Sequence, residues 1–270
     1  MSPVRQPAVA GRFYPSDPAR LDREVAEYLA ATALPVRALA LIAPHAGYMF
    51  SGRVAGATYA RAIVPRTAVI LCPNHTGMGS RRSIWISGAW QIPGAKIPID
   101  ADLAESIRRE GGLQPDQLAH QAEHAIEVQL PFLRARNPQV SLVPICLAHL
   151  TPLECIALGE AIASAVHDRQ QEVLLVASTD MSHYLPADQA KELDDLALQA
   201  VRAMDPEGLY RTVQEHDISM CGFIPTAAVL AAARALGAKS AELVRYGNSG
   251  EASGDDDRVV GYAGLVVPAG

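Results

Sequence analysis

Short apolar runs recur along the chain, and each is cut off by proline, glycine or histidine. Leu39-Ala40-Leu41-Ile42-Ala43 ends in Pro44-His45-Ala46-Gly47, and Ala68-Val69-Ile70-Leu71-Cys72 ends in Pro73-Asn74-His75-Thr76-Gly77. Val173-Leu174-Leu175-Val176-Ala177 passes into Ser178-Thr179-Asp180-Met181-Ser182-His183, and Val140 to Ile145 makes a fourth run that ends near His149. Runs this short and this uniformly apolar read as strands buried on both faces, the pattern of a parallel sheet covered by helices. Pro44 and Pro73 stop their strands because proline brings no N–H to the ladder. Parallel strands present their C-terminal ends at one edge, where ligands gather in open α/β sheets, so His45, His75 and His183 are expected to face one crevice.

Helical periods fill the gaps. Asp17-Pro18 is an N-cap with proline at the first helical position, opening a helix from about Leu21 to Ala31. A helix rich in small residues is expected from Gly52 to Ala62, and others from Ala101 to Glu110, from Pro186 to Met204, and from Asp205-Pro206 toward Glu215. Thr151-Pro152-Leu153-Glu154 reads as a capping box starting a helix to about His167. Gln117 to Arg136 reads as one long helix with His120 and His124 sharing a face, but Gln121 stands where a zinc-protease motif needs glutamate. His120 is therefore expected to be solvated, with His124 and Glu127 bonded to neighbours or supporting a ligand from outside. Cys221 precedes the helix Ala227 to Leu236, where the helix dipole favours a thiolate; a small buried hydrophobe is the alternative reading. His149 reads as an ordinary residue at a strand–helix boundary, His167 and His216 lie on polar faces, and none of the three is a candidate. Leu243 to Gly247 and Val259 to Val267 read as closing strands, and Asp255-Asp256-Asp257 between them as a solvated loop.

Composition narrows the function classes. Across 270 residues there is no repeat, linker or break, so residues 1–270 are expected to be a single domain. A net charge of −6 with no Lys/Arg cluster gives no footprint for nucleic acid or an anionic membrane. The first residues, Met1 to Pro7, lack the apolar run of a signal peptide and no segment reaches transmembrane length, so a cytoplasmic location is expected. Cys72, Cys146, Cys155 and Cys221 form no CxxC pair and read as reduced thiols.

Six pieces follow one another in order over nearly the whole chain: Ala10-Gly11-Arg12-Phe13-Tyr14-Pro15, Pro44-His45-Ala46-Gly47-Tyr48, Pro73-Asn74-His75, Glu123-His124-Ala125-Ile126-Glu127, Ser178-Thr179-Asp180-Met181-Ser182-His183 and Cys221-Gly222. As a set they resemble the Memo family. The resemblance implies a fold similar to class III extradiol dioxygenases, a three-layer α/β/α sandwich with a mostly parallel central sheet and a pocket at strand ends. It implies a metal site of His45, His75 and Cys221. For His183 it implies the acid/base position of the related dioxygenases, with Asp180 beside it as a second catalytic residue. Tyr48, His124 and Glu127 are the expected substrate-binding residues. The family is associated with a bacterial and archaeal gene set, the AmmeMemoRadiSam system, which makes radical-SAM system proteins expected partners alongside a small-molecule or peptide ligand.

The dioxygenases complete their site with a carboxylate, and here a thiolate would take that place. Thiolate is softer and oxidisable and favours copper(I), zinc or a differently tuned iron, so ring cleavage does not follow from the shared fold. Iron(II) is the expected cofactor, with copper or zinc as alternatives. The first functional expectation is a metal-dependent, oxidoreductase-like protein. A module that sequesters metal or binds a peptide is the second, and a hydrolase using Cys221 with His183 or His75 is the third.

Overall fold

The structure is a computed structural model and describes residues 3–30, 34–169 and 172–269. Six strands carry the central sheet: β1 (Val36–Ala43), β2 (Thr67–Pro73), β3 (Ser141–Leu147), β4 (Val173–Ser178), β5 (Glu242–Asn248) and β6 (Val259–Pro268). β1, β4, β2 and β3 lie side by side in that order and run parallel. β6 pairs antiparallel with the free side of β1, and β5 with β6. At the other side the short strand Arg82–Ile84 runs antiparallel to β3. The result is a parallel centre with antiparallel margins. Most of β1 and all of β2 and β4 are buried, as their unbroken apolar runs require.

Helices cover both faces. On one lie α1 (Pro18–Tyr28), α2 (Tyr48–Ala60) and α4 (Leu130–Arg136); on the other lie α3 (Ala101–Gly111), α5 (Pro152–Val166) and α8 (Phe223–Ala235). The helices α6 (Ala187–Arg202) and α7 (Pro206–Glu215) extend the second layer toward β6. This is the three-layer sandwich that the apolar runs and the family resemblance both imply. Asp17 caps α1 and accepts the Arg20 N–H at 2.8 Å, while Thr151 and Glu154 close the expected capping box on α5. The expected end of α1 at Ala31 falls outside the described residues. α2 begins at Tyr48, four residues before the expected Gly52, because Gly47 already lies outside the helical turn. Gly52 and Gly56 let α2 press on α1: a methyl group on either would come within 2.6 and 2.5 Å of Tyr28.

The long helix expected over Gln117 to Arg136 does not form. A single turn, Leu118–Gln121, ends at Ala122, and helical structure resumes with a 3₁₀ turn at Glu127–Gln129 that runs into α4, with Pro131 in its first turn. Between them the Glu123 carboxylate bends back to accept the Ala125 N–H at 3.0 Å, a local side-chain bond that competes with the helical ladder. His120, expected in solvent, is buried with Nε2 2.9 Å from the Ser83 hydroxyl and its ring edge-on to Trp85 and Trp90.

Candidate metal centre

β1, β4 and β2 end at the same edge, and each delivers polar groups there. β1 passes through Pro44 into His45, which is 2 % exposed. Neighbouring β4 ends at Ser178, whose Oγ donates its one proton to the Ala125 carbonyl at 2.7 Å. That oxygen must then accept from its other two neighbours, Gln129 Nε2 at 2.9 Å and His45 Nδ1 at 3.0 Å. The Gln129 orientation is fixed independently, because its Nε2 also donates to the Pro44 carbonyl at 2.9 Å. His45 therefore carries its proton on Nδ1 and presents a bare lone pair at Nε2. Burial, reinforced by the nearby His75, lowers its pKa to about 3 and keeps the ring neutral.

β2 delivers His75 in the same way but through a carboxylate. Glu123 accepts the His75 backbone N–H at 2.7 Å and sits 2.9 Å from Nδ1. Burial works to lower the His75 pKa, and the Glu123 hydrogen bond and charge outweigh it, leaving it raised. For Glu123 burial works upward and is outweighed by the His75 hydrogen bond and charge, so its pKa falls to about 2. His124 packs 4.8 Å from His75 and 5.3 Å from His45 between ring centroids, with Phe13 on it at 4.7 Å. Burial first, then His45, lowers the His124 pKa to about 4.

The third ligand candidate arrives from far along the chain. Cys221 lies just before α8, with Sγ 3.2 Å from His45 Nε2 and accepting the Asp180 N–H at 3.3 Å. Gly222 allows this approach, since a methyl group there would sit 2.5 Å from both the Ser178 carbonyl oxygen and Thr179 Cβ. One nitrogen each from His45 and His75 and the Cys221 sulfur all lie within 4.8 Å of one another. A tetrahedral N₂S site separates such atoms by roughly 3.3–3.6 Å, so the donor set fits a thiophilic or borderline metal after small side-chain adjustment. Without metal, burial and the Asp180 charge push the Cys221 thiol up, against the helix dipole. Metal binding would have to displace that proton.

The other expected site residues divide. His183, partly exposed, stands at the start of a short strand paired with β6. Its backbone N–H donates to Ser219 Oγ at 2.7 Å and its Nδ1 faces the Ser219 carbonyl at 2.9 Å, which in a neutral ring puts the proton on Nδ1. Asp180 accepts the His45 N–H at 2.7 Å, and the His183 ring lies near enough to act on its carboxylate electrostatically. Burial, outweighing that hydrogen bond, raises its pKa. Tyr48 is turned into the wall: its ring packs on Phe132 and Tyr14 and its hydroxyl donates to the Val128 carbonyl at 2.7 Å. Glu127 is fully buried, with its oxygens occupied by Arg5, the Ala8 and Val9 N–H groups and Tyr14. Neither Tyr48 nor Glu127 opens toward the histidines for a substrate, so their expected binding role is not the one their placement gives. Glu123, Ser178 and Ser219 were not singled out from sequence; their only signal is their place beside a histidine or a strand end.

A parallel-centred α/β/α sandwich with two histidines and a cysteine gathered at its strand ends defines the class. The family model described as Memo-like protein matches residues 5–266, and the chain belongs to that family. It is 42 % identical to a MEMO1 family protein of Methanothermobacter thermautotrophicus, with 97 % of this chain and 99 % of that protein covered. It is 41 % identical to one of Methanopyrus kandleri over 98 % and 99 %, and 36 % identical to one of Aquifex aeolicus over 97 % and 98 %. Among solved structures, an uncharacterized Escherichia coli K12 protein shares the fold with a TM-score of 0.55 at 14 % identity, covering 83 % of this chain and 98 % of that one. Among the described residues no helix is long and apolar enough to cross a membrane.

Proposed function

We propose that this is a metal-dependent, oxidoreductase-like protein in which His45, His75 and Cys221 hold one iron or copper ion and His183 moves a proton for a bound small molecule. The observation that carries the reading is the convergence of two imidazole nitrogens and one sulfur within 4.8 Å at the strand ends. Two imidazoles and a thiolate suit iron, copper or zinc and are a poor set for magnesium or calcium. Such an ion supplies Lewis-acid and, for iron or copper, one-electron chemistry when bound. The chain's own residues do the rest. Ser219 holds His183 by its backbone N–H and by ring Nδ1, so in the neutral ring Nε2 is left to accept a proton from a ligand in the crevice. His124, neutral and backed by Phe13, offers a rim against which a planar or apolar group can lie.

Anaerobic purification followed by elemental analysis and electron paramagnetic resonance, with and without oxygen, tests this. The expected result is near one iron or copper per chain with an oxygen-sensitive signal. Full metal content in a His45→Ala, His75→Ala double variant would overturn the metal site. Tight metal binding without oxygen consumption would remove the oxidoreductase part and leave a metal-holding module.

One distance favours a second reading. Sulfur and imidazole nitrogen 3.2 Å apart also make a thiol–imidazole pair of the kind used in nucleophilic catalysis. The neighbouring Asp180 works against it by disfavouring the thiolate. Alkylation of Cys221 that abolishes a hydrolytic activity while metal binding persists would support this reading over the first.

A further inference from the structure

Two carboxylates stand behind the three candidate ligands, and they are not equivalent. Asp180 hydrogen-bonds His45 through its backbone N–H, at 2.7 Å, with its other oxygen 3.9 Å from Nε2, and the Nδ1 of that ring is left to Ser178. Glu123 takes both the backbone N–H and the ring of His75, at 2.7 and 2.9 Å. It is buried to 1 % exposure although it carries no guanidinium or ammonium partner of its own among the described residues. The same oxygen that faces the His75 ring lies 3.3 Å from His124 Nδ1. A buried ionised carboxylate is costly unless its oxygens are filled by donors. Here the donors are the Ala125 and His75 backbone N–H groups and the His75 ring.

An ionised carboxylate can only accept hydrogen bonds, so the ring nitrogen facing it must carry the proton. For a neutral His75 that is Nδ1, which leaves Nε2 as a lone pair. Metal-binding histidines are commonly fixed in this way by an outer carboxylate, which orients the ring and raises its basicity.

We infer that Glu123 is the positioning residue of the candidate metal centre, holding His75 by backbone and ring so that its Nε2 lone pair points to the point shared with His45 and Cys221. The inference rests on the metal reading above for its consequence, but not for its geometry. Glu123→Gln is the informative change. The amide nitrogen must replace one of the two oxygens, and either position faces a backbone N–H, that of His75 or that of Ala125. In the position near the His75 ring it also donates where the carboxylate accepted, so the His75 proton moves to Nε2 and the lone pair is lost.

The test uses the full chain, labelled with nitrogen-15 and free of metal, and reads histidine tautomers by long-range proton–nitrogen correlation. His75 in the wild type is expected with its proton on Nδ1, and in Glu123→Gln with its proton on Nε2, while His45 keeps its Ser178-bonded form in both. Cobalt(II) titration of the same samples should weaken by about 10–100-fold in the variant, with the sulfur-to-cobalt absorption retained at saturation. A wild-type neutral His75 with its proton on Nε2 rather than Nδ1 overturns the inference without any variant. So does a variant that keeps the Nδ1 proton and full cobalt affinity. Should the tautomer switch while wild-type protein binds no stoichiometric metal, the positioning role stands and the metal reading fails.

Discussion

The sulfur of Cys221 lies 3.2 Å from Nε2 of His45, although 176 positions separate the two along the chain. Nothing local produces that contact. It exists because β1 and β4 are adjacent, because β4 ends at Ser178, and because the turn before α8 closes down on that end. The bare Nε2 of His45 and the thiol share one small volume, so removing the sulfur should be felt in metal binding more than in folding. Cys221→Ser is expected to lower iron(II) or cobalt(II) affinity by roughly tenfold or more and to abolish the sulfur-to-metal charge-transfer band. Its thermal midpoint without metal should stay close to the wild type. An unchanged charge-transfer spectrum would place the sulfur ligand elsewhere.

Gly222 is the hinge of that approach through space rather than through backbone freedom. Its N–H donates to Thr179 Oγ1 at 2.9 Å, and a methyl group on its Cα would stand 2.5 Å from the Ser178 carbonyl. Both obstacles are strand-end atoms that cannot swing aside. Gly222→Ala should therefore cost about 1–3 kcal/mol, the usual range for overpacking, and should push Cys221 away from His45. Denaturant midpoints give the first quantity and the alkylation rate of Cys221 the second. Wild-type stability together with a wild-type alkylation rate would show that the junction has slack the structure does not display.

Acid should destabilise the metal-free protein in a window set by its buried imidazoles. Burial is the largest cause in each case, holding His45 and His120 at about 3 and His124 at about 4 against an ordinary 6.5. Below pH 6.5 the unfolded chain binds protons on these rings and the folded chain does not. Stability therefore falls as pH drops from about 6.5 toward 4, by up to about 1.4 kcal/mol per pH unit for each group. Glu123, lowered to about 2, adds its own loss only below its ordinary 4.5. Urea titrations from pH 7 to pH 4 measure the slope, and His120→Gln should remove about a third of it. A flat profile would mean that the rings are solvated.

How legible all this was in the sequence depends on whether the signal was local. Apolar runs ended by Pro44 and Pro73 carry their own strand boundaries, and a parallel arrangement then follows from the helical patterns between them. The meeting of His45 and His75 follows from the shared edge of parallel strands, but that Cys221 joins them was legible only through the family resemblance, since no spacing rule links a β1 loop to the start of α8. The break at Ala122 was hidden because periodicity counts apolar positions and is blind to a carboxylate that bonds its own backbone two residues on. Tyr48 and Glu127 were misplaced for a related reason. Both sit inside motifs that contain site residues, but their partners are the Val128 carbonyl and the segment from Arg5 to Tyr14, contacts that no motif encodes.

That N-terminal segment makes a further prediction. Arg5 and Glu127 form an ion pair of 2.6 Å in which both side chains are almost completely buried. The guanidinium also donates to the His120 and Glu123 carbonyls, at 2.7 and 2.6 Å, and lies 4.2 Å over the Trp90 ring. Glu127 in turn accepts from Ala8, Val9 and Tyr14, so it ties residues 5–14 to the loop that carries Glu123 and His124. Removing one member leaves a buried charge without its counterion, which typically costs about 3–5 kcal/mol. Glu127→Gln should therefore lower the thermal midpoint by on the order of 10 °C and expose the first residues to proteolysis. The Arg134–Asp22 pair, 3.1 Å long but solvent-exposed, provides the contrast: Asp22→Asn should change stability by less than about 1 kcal/mol. Equal effects of the two changes, read in the same thermal melts, would show that the buried pair is hydrated and that the N-terminal segment is held by its apolar contacts alone.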